Sequence, residues 1–283
     1  MITIKITKEN YRKYDIVTLL NLIGEESITR QFSREFYNLN SRKINSALIH
    51  SSYTDASVLN DLALENEDDV LVCTRIASNS ATSLDTLKFF LKKFEEDKLI
   101  KIAVAKNPNC SEEMLKELMK NKTERDEIER GLFGSIERSI STNPSATKEM
   151  LNELFLLDIE SIQKNVLANP NCPVELIEDA SKSEDEDFRA VVASNTATPA
   201  TILKKLSKDR FKVVKLAIAS NTATPVDVLE KMLLLKDEEI LINLICNDSV
   251  QMSKLIYFST IHKSDRINAV AEREISRKNR TFK

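Results

Sequence analysis

Along most of the chain, apolar residues return at fixed distances from a recurring asparagine. Aligned on it stand Asn79, Asn107, Asn143, Asn169, Asn195, Asn221 and Asn247, with Ser51 in a degenerate first copy. Seven residues earlier lie Ile44, Val72, Ile100, Ile136, Ile162, Phe188, Val214 and Ile240. Three residues earlier lie Leu48, Ile76, Val104, Ile140, Val166, Val192, Ile218 and Leu244. Eight residues later lie Leu59, Leu87, Leu115, Leu151, Ile177, Leu203, Leu229 and Leu255. Three columns without a polar exception define eight units. The last four steps are 26 residues each; the first two are 28 and 36, which marks an insertion between Asn107 and Asn143. The phrase "ASNTATP", found at Ala193–Pro199 and Ala219–Pro225, is the clearest copy.

Each unit predicts two short helices. The apolar residues seven and three before the asparagine are one turn apart on one helical face. The asparagine then closes that helix, a place where its tolerance of the left-handed conformation is useful. Pro108, Pro144 and Pro170 follow at once and stop propagation. Thr54, Thr82, Cys110, Ala146, Cys172, Thr198 and Thr224 occupy the N-cap place of the second helix. Pro173, Pro199 and Pro225 come next, at the first helical position, where a missing N–H costs nothing. Thr82-x-x-Asp85 and Thr224-x-x-Asp227 then have the form of capping boxes. One such pair cannot bury its apolar faces alone, so the pairs must stack. The prediction is an all-α solenoid of about eight two-helix repeats of ~26 residues.

The segment before the repeats, 1–43, is expected to cap the first unit; "MITIKI" at its start alternates like a short strand. The solenoid spans 44–262, with the insertion at 121–135. Residues 263–283 form a basic capping helix or tail, ending in "REISRKNRTFK".

Units such as "VLANPNCPVELIEDA" (Val166–Ala180) and "VVASNTATPATILKKL" (Val191–Leu206) resemble the leucine-rich repeat variant, a style of solenoid related to HEAT and armadillo repeats. The resemblance covers roughly Ile44 to Ile261 and rests on the phrase A-x-N-P-x-x-P-x-x-x-L. It implies a right-handed superhelix in which α- and 3₁₀-type helices alternate, and it carries no function. At 26 residues the unit is slightly long for the variant, so α-helices in both positions, as in HEAT repeats, are a second expectation. One member type holds an iron–sulfur cluster on cysteines ahead of its repeats. No cysteine precedes Cys73 here, so no cluster is carried over, and no cofactor or metal is expected.

Composition narrows the chemistry. Three glycines, Gly24, Gly131 and Gly134, are too sparse for a phosphate-binding loop or a dinucleotide fingerprint. Four dispersed cysteines, Cys73, Cys110, Cys172 and Cys246, with no CxxC pair suit reduced thiols, and cytoplasmic is the default location. No apolar stretch is long enough to span a bilayer. Only His50 and His262 are present, and no nucleophile–base constellation is visible. The acids Asp85, Glu113, Glu149, Glu175 and Asp227 fall in first turns, where the helix dipole explains them. Many Lys, Asn and Ile beside so little glycine point to an AT-rich bacterial or phage genome.

Six residues before the asparagine runs a polar column: Lys101, Glu137, Gln163, Arg189 and Lys215. It lies about 100° from the core column on the helical wheel, so it is expected to reach solvent as a partly basic stripe. The insertion ends in Gly131-Leu132-Phe133-Gly134, where Leu132 and Phe133 are candidate anchors. The favoured function is a non-catalytic scaffold that binds a protein partner. Nucleic-acid binding along Lys101, Arg189 and Lys215 is the first rival, although the net charge is −3 and there is no tryptophan. An enzyme with its site in the concave face is the second.

Overall fold

A computed structural model describes residues 11–120 and 135–281. After a single 3₁₀ turn, Tyr11–Lys13, every regular element among the described residues is an α-helix. The chain divides between Thr147 and Lys148 into two compact units.

The first unit opens with α1 (Ile16–Ile23) and α2 (Glu26–Tyr37), which pack on each other and on the first repeat. Phe32 and Phe36 of α2 are buried there, and the Thr29 hydroxyl donates to the carbonyl of Ile23 at 2.6 Å. Repeat pairs follow: α3 (Arg42–His50) with α4 (Ala56–Glu65), α5 (Val70–Ser78) with α6 (Leu84–Lys93), and α7 (Lys98–Lys106) with α8 (Glu112–Met119). The unit ends with α9 (Ile136–Thr142). The first helices of the repeats, termed A helices, stack side by side: α3 on α5, α5 on α7, α7 on α9.

The second unit opens with α10 (Lys148–Phe155), a second-position or B helix. Its repeats are α11 (Glu160–Ala168) with α12 (Val174–Ala180), α13 (Glu186–Ser194) with α14 (Ala200–Leu206), α15 (Lys212–Ser220) with α16 (Val226–Met232), and α17 (Glu238–Cys246) with α18 (Met252–Ile261). The A helices α11, α13, α15 and α17 again stack in order. The final helix, α19 (Asp265–Thr281), packs on α17 and α18 and buries Ile267 and Ala271. Lys278 donates to the carbonyls of Asp248 (3.0 Å) and Val250 (2.7 Å), and Arg277 pairs with Asp248 and Glu274.

The apolar columns are the core. All eight residues three before the asparagine are 0% exposed, and all eight of the column eight after it are at most 1% exposed. Each such side chain contributes roughly 1.5–3 kcal/mol relative to exposure. The column seven before is also buried, apart from half-buried Val72 and Phe188. The A and B positions are both α-helical, so the alternation with 3₁₀ helices implied by the resemblance does not hold among the described residues. With 7 to 10 residues, the B helices make about two to three turns of α-helix.

The helix signals are shifted from their sequence reading. Each asparagine sits in extended backbone (Asn195 φ −72°, ψ 122°), not the left-handed region. It starts a tight turn, closed by the N–H three residues on, as in Thr198 to Asn195 (3.1 Å) and Thr224 to Asn221 (3.1 Å). The residues read as N-caps come one place too early. Ser83 and Ser111 cap α6 and α8, accepting from Thr86 and Met114 N–H, so Thr82-x-x-Asp85 is not a capping box. Pro173, Pro199 and Pro225 are themselves the cap residues, one place before the first helical position. Thr54, Thr198 and Thr224 instead turn their hydroxyls back to the carbonyls of Leu48 (2.7 Å), Val192 (2.6 Å) and Ile218 (2.8 Å). They seal the end of the preceding A helix, whose last carbonyls have no helical partner.

Candidate functional site

The asparagine column holds one repeat to the next. Asn107 Nδ2 donates to the carbonyls of Ala77 (2.7 Å) and Asn79 (2.8 Å) in the preceding repeat, and its Oδ1 accepts from Asn109 N–H at 2.8 Å. Asn143 does the same with Ala105 and Asn107. In the second unit Asn195 bonds Leu167 and Asn169, Asn221 bonds Ala193 and Asn195, and Asn247 bonds Ala219 and Asn221. Asn79 reaches Ile49 and Ser51. Every one of these asparagines is buried. A buried amide with two donated bonds and one accepted is structural, since unmet polar groups there would cost free energy. These residues set the spacing of the A helices and leave no atom over for a ligand.

The polar column six before the asparagine does not form the expected solvent stripe. Arg189 is 8% exposed: its guanidinium forks onto Asp209 (2.7 and 3.2 Å) and donates to the carbonyls of Ser183 (2.6 Å) and Glu184 (3.0 Å). Asp209 also accepts from Phe211 N–H, and the Phe211 ring lies 5.4 Å from the guanidinium. The fork holds the Asp209 carboxyl below its usual range and raises Arg189. Gln163 donates to the carbonyl of Phe155 (3.3 Å), and Glu137 is buried. Lys101 and Lys215 are half-buried. The helical wheel places this column beside the core, but Gln163 reaches back to the end of α10, and Arg189 fastens both the loop before α13 (Ser183, Glu184) and the loop before α15 (Asp209), so these two side chains are committed within the fold. Leu132 and Phe133 lie outside the described residues.

The open surface of the A helices is a different set of columns: eight, five, four and one before the asparagine. In the second unit it forms a shallow cleft of about 540 Å³ across α11, α13 and α15, floored by Ala190, Val191, Val213, Leu216 and Ala217. Lys164, ion-paired to Glu160 (2.7 Å) and Asp187 (3.2 Å), stands at its side. In the first unit two adjoining cavities of about 460 and 340 Å³ cross α3 and α5, and both are lined by Ile49, His50 and Arg75. His50 Nδ1 lies 2.7 Å from the carbonyl of Ser46. A third cavity, about 760 Å³, lies toward the end of the second unit. Its walls are Leu233, Leu234, Leu241, Tyr257, Phe258 and Ile267, and Leu234 is 82% exposed. His262 Nδ1 accepts from Ser264 N–H there (3.1 Å). Sequence reasoning missed these surfaces because it took the wrong polar column as the outer one. The signal was present in the exposed apolar residues Leu71, Leu99 and Val213, which break the otherwise polar column eight before the asparagine.

The titratable groups give little for bond chemistry. Burial pushes the thiols of Cys73 to about 11 and of Cys110 and Cys172 to about 12, so all three are poor nucleophiles at neutral pH. The Tyr37 hydroxyl, bonded to Glu65, is pushed up to about 12. No cluster of His, Cys, Asp and Glu able to hold a metal occurs among the described residues. Nor is any described helix long and apolar enough to cross a membrane.

No family model and no curated protein matches the chain. Among solved structures it is similar to one described as a leucine-rich repeat variant with a novel repetitive protein structural motif. The likeness spans 79% of this chain and 83% of that one, at 17% identity and a TM-score of 0.37. The recurrent pairs of α-helices, stacked in order within each unit, make the chain a helical-repeat protein.

Proposed function

We propose that the chain is a protein-binding scaffold without catalytic activity, and that its partners lie along the A helices. One observation carries this reading: each A helix is sorted into a committed face and an open face. The committed face holds the core columns, the asparagine bonds and, at Gln163 and Arg189, side chains that fasten loops. The open face stacks from repeat to repeat and offers an apolar cleft with flanking charges, the mix common at interfaces. The raised thiols support the non-catalytic part. Nucleic-acid binding loses the stripe it rested on, because Arg189 is buried against Asp209. Four free cysteines suit a reducing, cytoplasmic setting.

Site-specific photo-crosslinking tests the reading. A crosslinker is placed at Ser194 or Val213 on the open face, and at Lys205, exposed on a B helix, as control. Discrete, nuclease-resistant protein adducts from Ser194 and Val213 and none from Lys205 are expected. Adducts that are only nucleic acid, or that form equally from all three positions, refute it.

A further inference from the structure

The open faces of the two units differ in charge. In the second unit the charged residues of the open-face columns are Asp187, Glu239 and Lys164, and Lys164 is ion-paired to Asp187. In the first unit α3, α5, α7 and α9 contain one acid, Glu137, and it is buried. Exposed on that unit's A helices are Arg42, Lys43, Arg75 and Lys106, and none of them forms an ion pair among the described residues. Glu65, which accepts from the Tyr37 hydroxyl, and Asp69, which accepts from Leu71 and Val72 N–H to cap α5, line the 460 Å³ cavity beside Arg42 and Arg75. The cavity and its 340 Å³ neighbour share Ile49, His50 and Arg75, so they form one furrow across α3 and α5.

Apolar residues share this face. Leu71, 63% exposed, lies one turn before Arg75 on α5. Leu99, 41% exposed, takes the same place on α7, two turns before Lys106. A phosphate backbone would use the cations and leave the leucines bare. A peptide uses both.

We propose, building on the scaffold reading, that the open face of the first unit binds an extended acidic segment of a protein partner. Its carboxylates meet Lys43, Arg75 and Lys106, and its apolar side chains cover Leu71 and Leu99. The spacing follows from the stack. Packed helices lie about 8–10 Å apart, and an extended chain rises about 3.3 Å per residue. Apolar positions therefore recur about every third residue, with acids between them.

The test is fluorescence anisotropy with the full chain and a labelled twelve-residue peptide of repeating Glu-Glu-Leu. A Glu-Glu-Ser peptide of equal charge and a DNA duplex serve as comparisons. Glu-Glu-Leu is expected to bind best and to weaken with added salt. Lys43→Glu with Arg75→Glu should lower its affinity about tenfold or more, and the Lys43→Gln, Arg75→Gln pair controls for misfolding by charge reversal. Leu71→Ser with Leu99→Ser should lower it about fivefold or more, with no effect on Glu-Glu-Ser. Equal binding of Glu-Glu-Leu by wild type and both Lys43/Arg75 pairs overturns the proposal. So does tighter binding of the duplex with no response to the leucine changes. Partner crosslinking through Ser194 and Val213 that survives either result leaves the scaffold reading standing, whereas its loss, with peptide binding intact, removes only that reading's wider claim.

Discussion

Replacing Asn221 tests whether the asparagine column joins repeats or only shapes a turn. In the fold Asn221 is 3% exposed and donates to Ala193 (2.8 Å) and Asn195 (3.0 Å), while accepting from Ala223 N–H (2.8 Å). In Asn221→Ala the carbonyl of Asn195 keeps its bond from Thr198 N–H. The buried carbonyl of Ala193 loses its side-chain donor, at a cost of about 1–3 kcal/mol, and the partly exposed Ala223 N–H recovers much of its loss from water. With the second donated bond included, the expected destabilisation is about 3 kcal/mol. Asn221→Asp separates the two roles. It keeps the acceptor for Ala223 N–H but turns a carboxylate oxygen toward two carbonyl oxygens. That variant should be at least as unstable as the alanine at neutral pH. Its carboxyl is repelled and desolvated in the fold, so its folded pKa lies above the unfolded value. Its stability is accordingly greatest below the unfolded pKa of about 4 and falls as pH rises through the folded one. Urea unfolding followed by helical circular dichroism, repeated across acidic to neutral pH, measures both effects. If Asn221→Asp matched wild type at neutral pH, with no pH response of its own, the inter-repeat bonds would contribute nothing and the column would be turn residues alone.

Arg189→Met removes the fork and leaves the Asp209 carboxylate, 9% exposed, with the bond from Phe211 N–H, and should cost about 3–5 kcal/mol in the same unfolding assay. Asp209 has a lowered folded pKa, so its contribution is present above the unfolded carboxyl value and is lost as pH falls through the folded one; Asp209→Asn should remove that part of the acid decline. Thiol titration of the native protein near pH 8 should modify the exposed Cys246 and spare buried Cys73, Cys110 and Cys172, all four reacting in denaturant; rapid native labelling of Cys110 or Cys172 would contradict their burial. Ser111→Ala removes the hydroxyl that accepts from Met114 N–H at the start of α8 and should cost about 1 kcal/mol, whereas Cys110→Ala, at the place first read as the cap, should cost no cap bond.

The order of helices and the identity of the core were legible in the chain itself. Positions such as Val104, Val192 and Leu203 recur at fixed offsets because a helix repeats its own angles, and a stack of like units must bury like residues. The asparagine column was equally visible, but its purpose was not. Its partners are carbonyls 26 to 38 residues away, which no local window contains. The direction of Arg189 and Gln163 was misread for a related reason. A helical wheel gives a side chain's angle on its own helix, while its exposure depends on which loop the neighbouring helix sends across it. The open face, with Leu71 beside Arg75 and Val213 near Leu216, therefore emerged only from the tertiary structure. Periodicity along one chain determines which residues face inward together; contact between successive repeats decides which of the others remain in water.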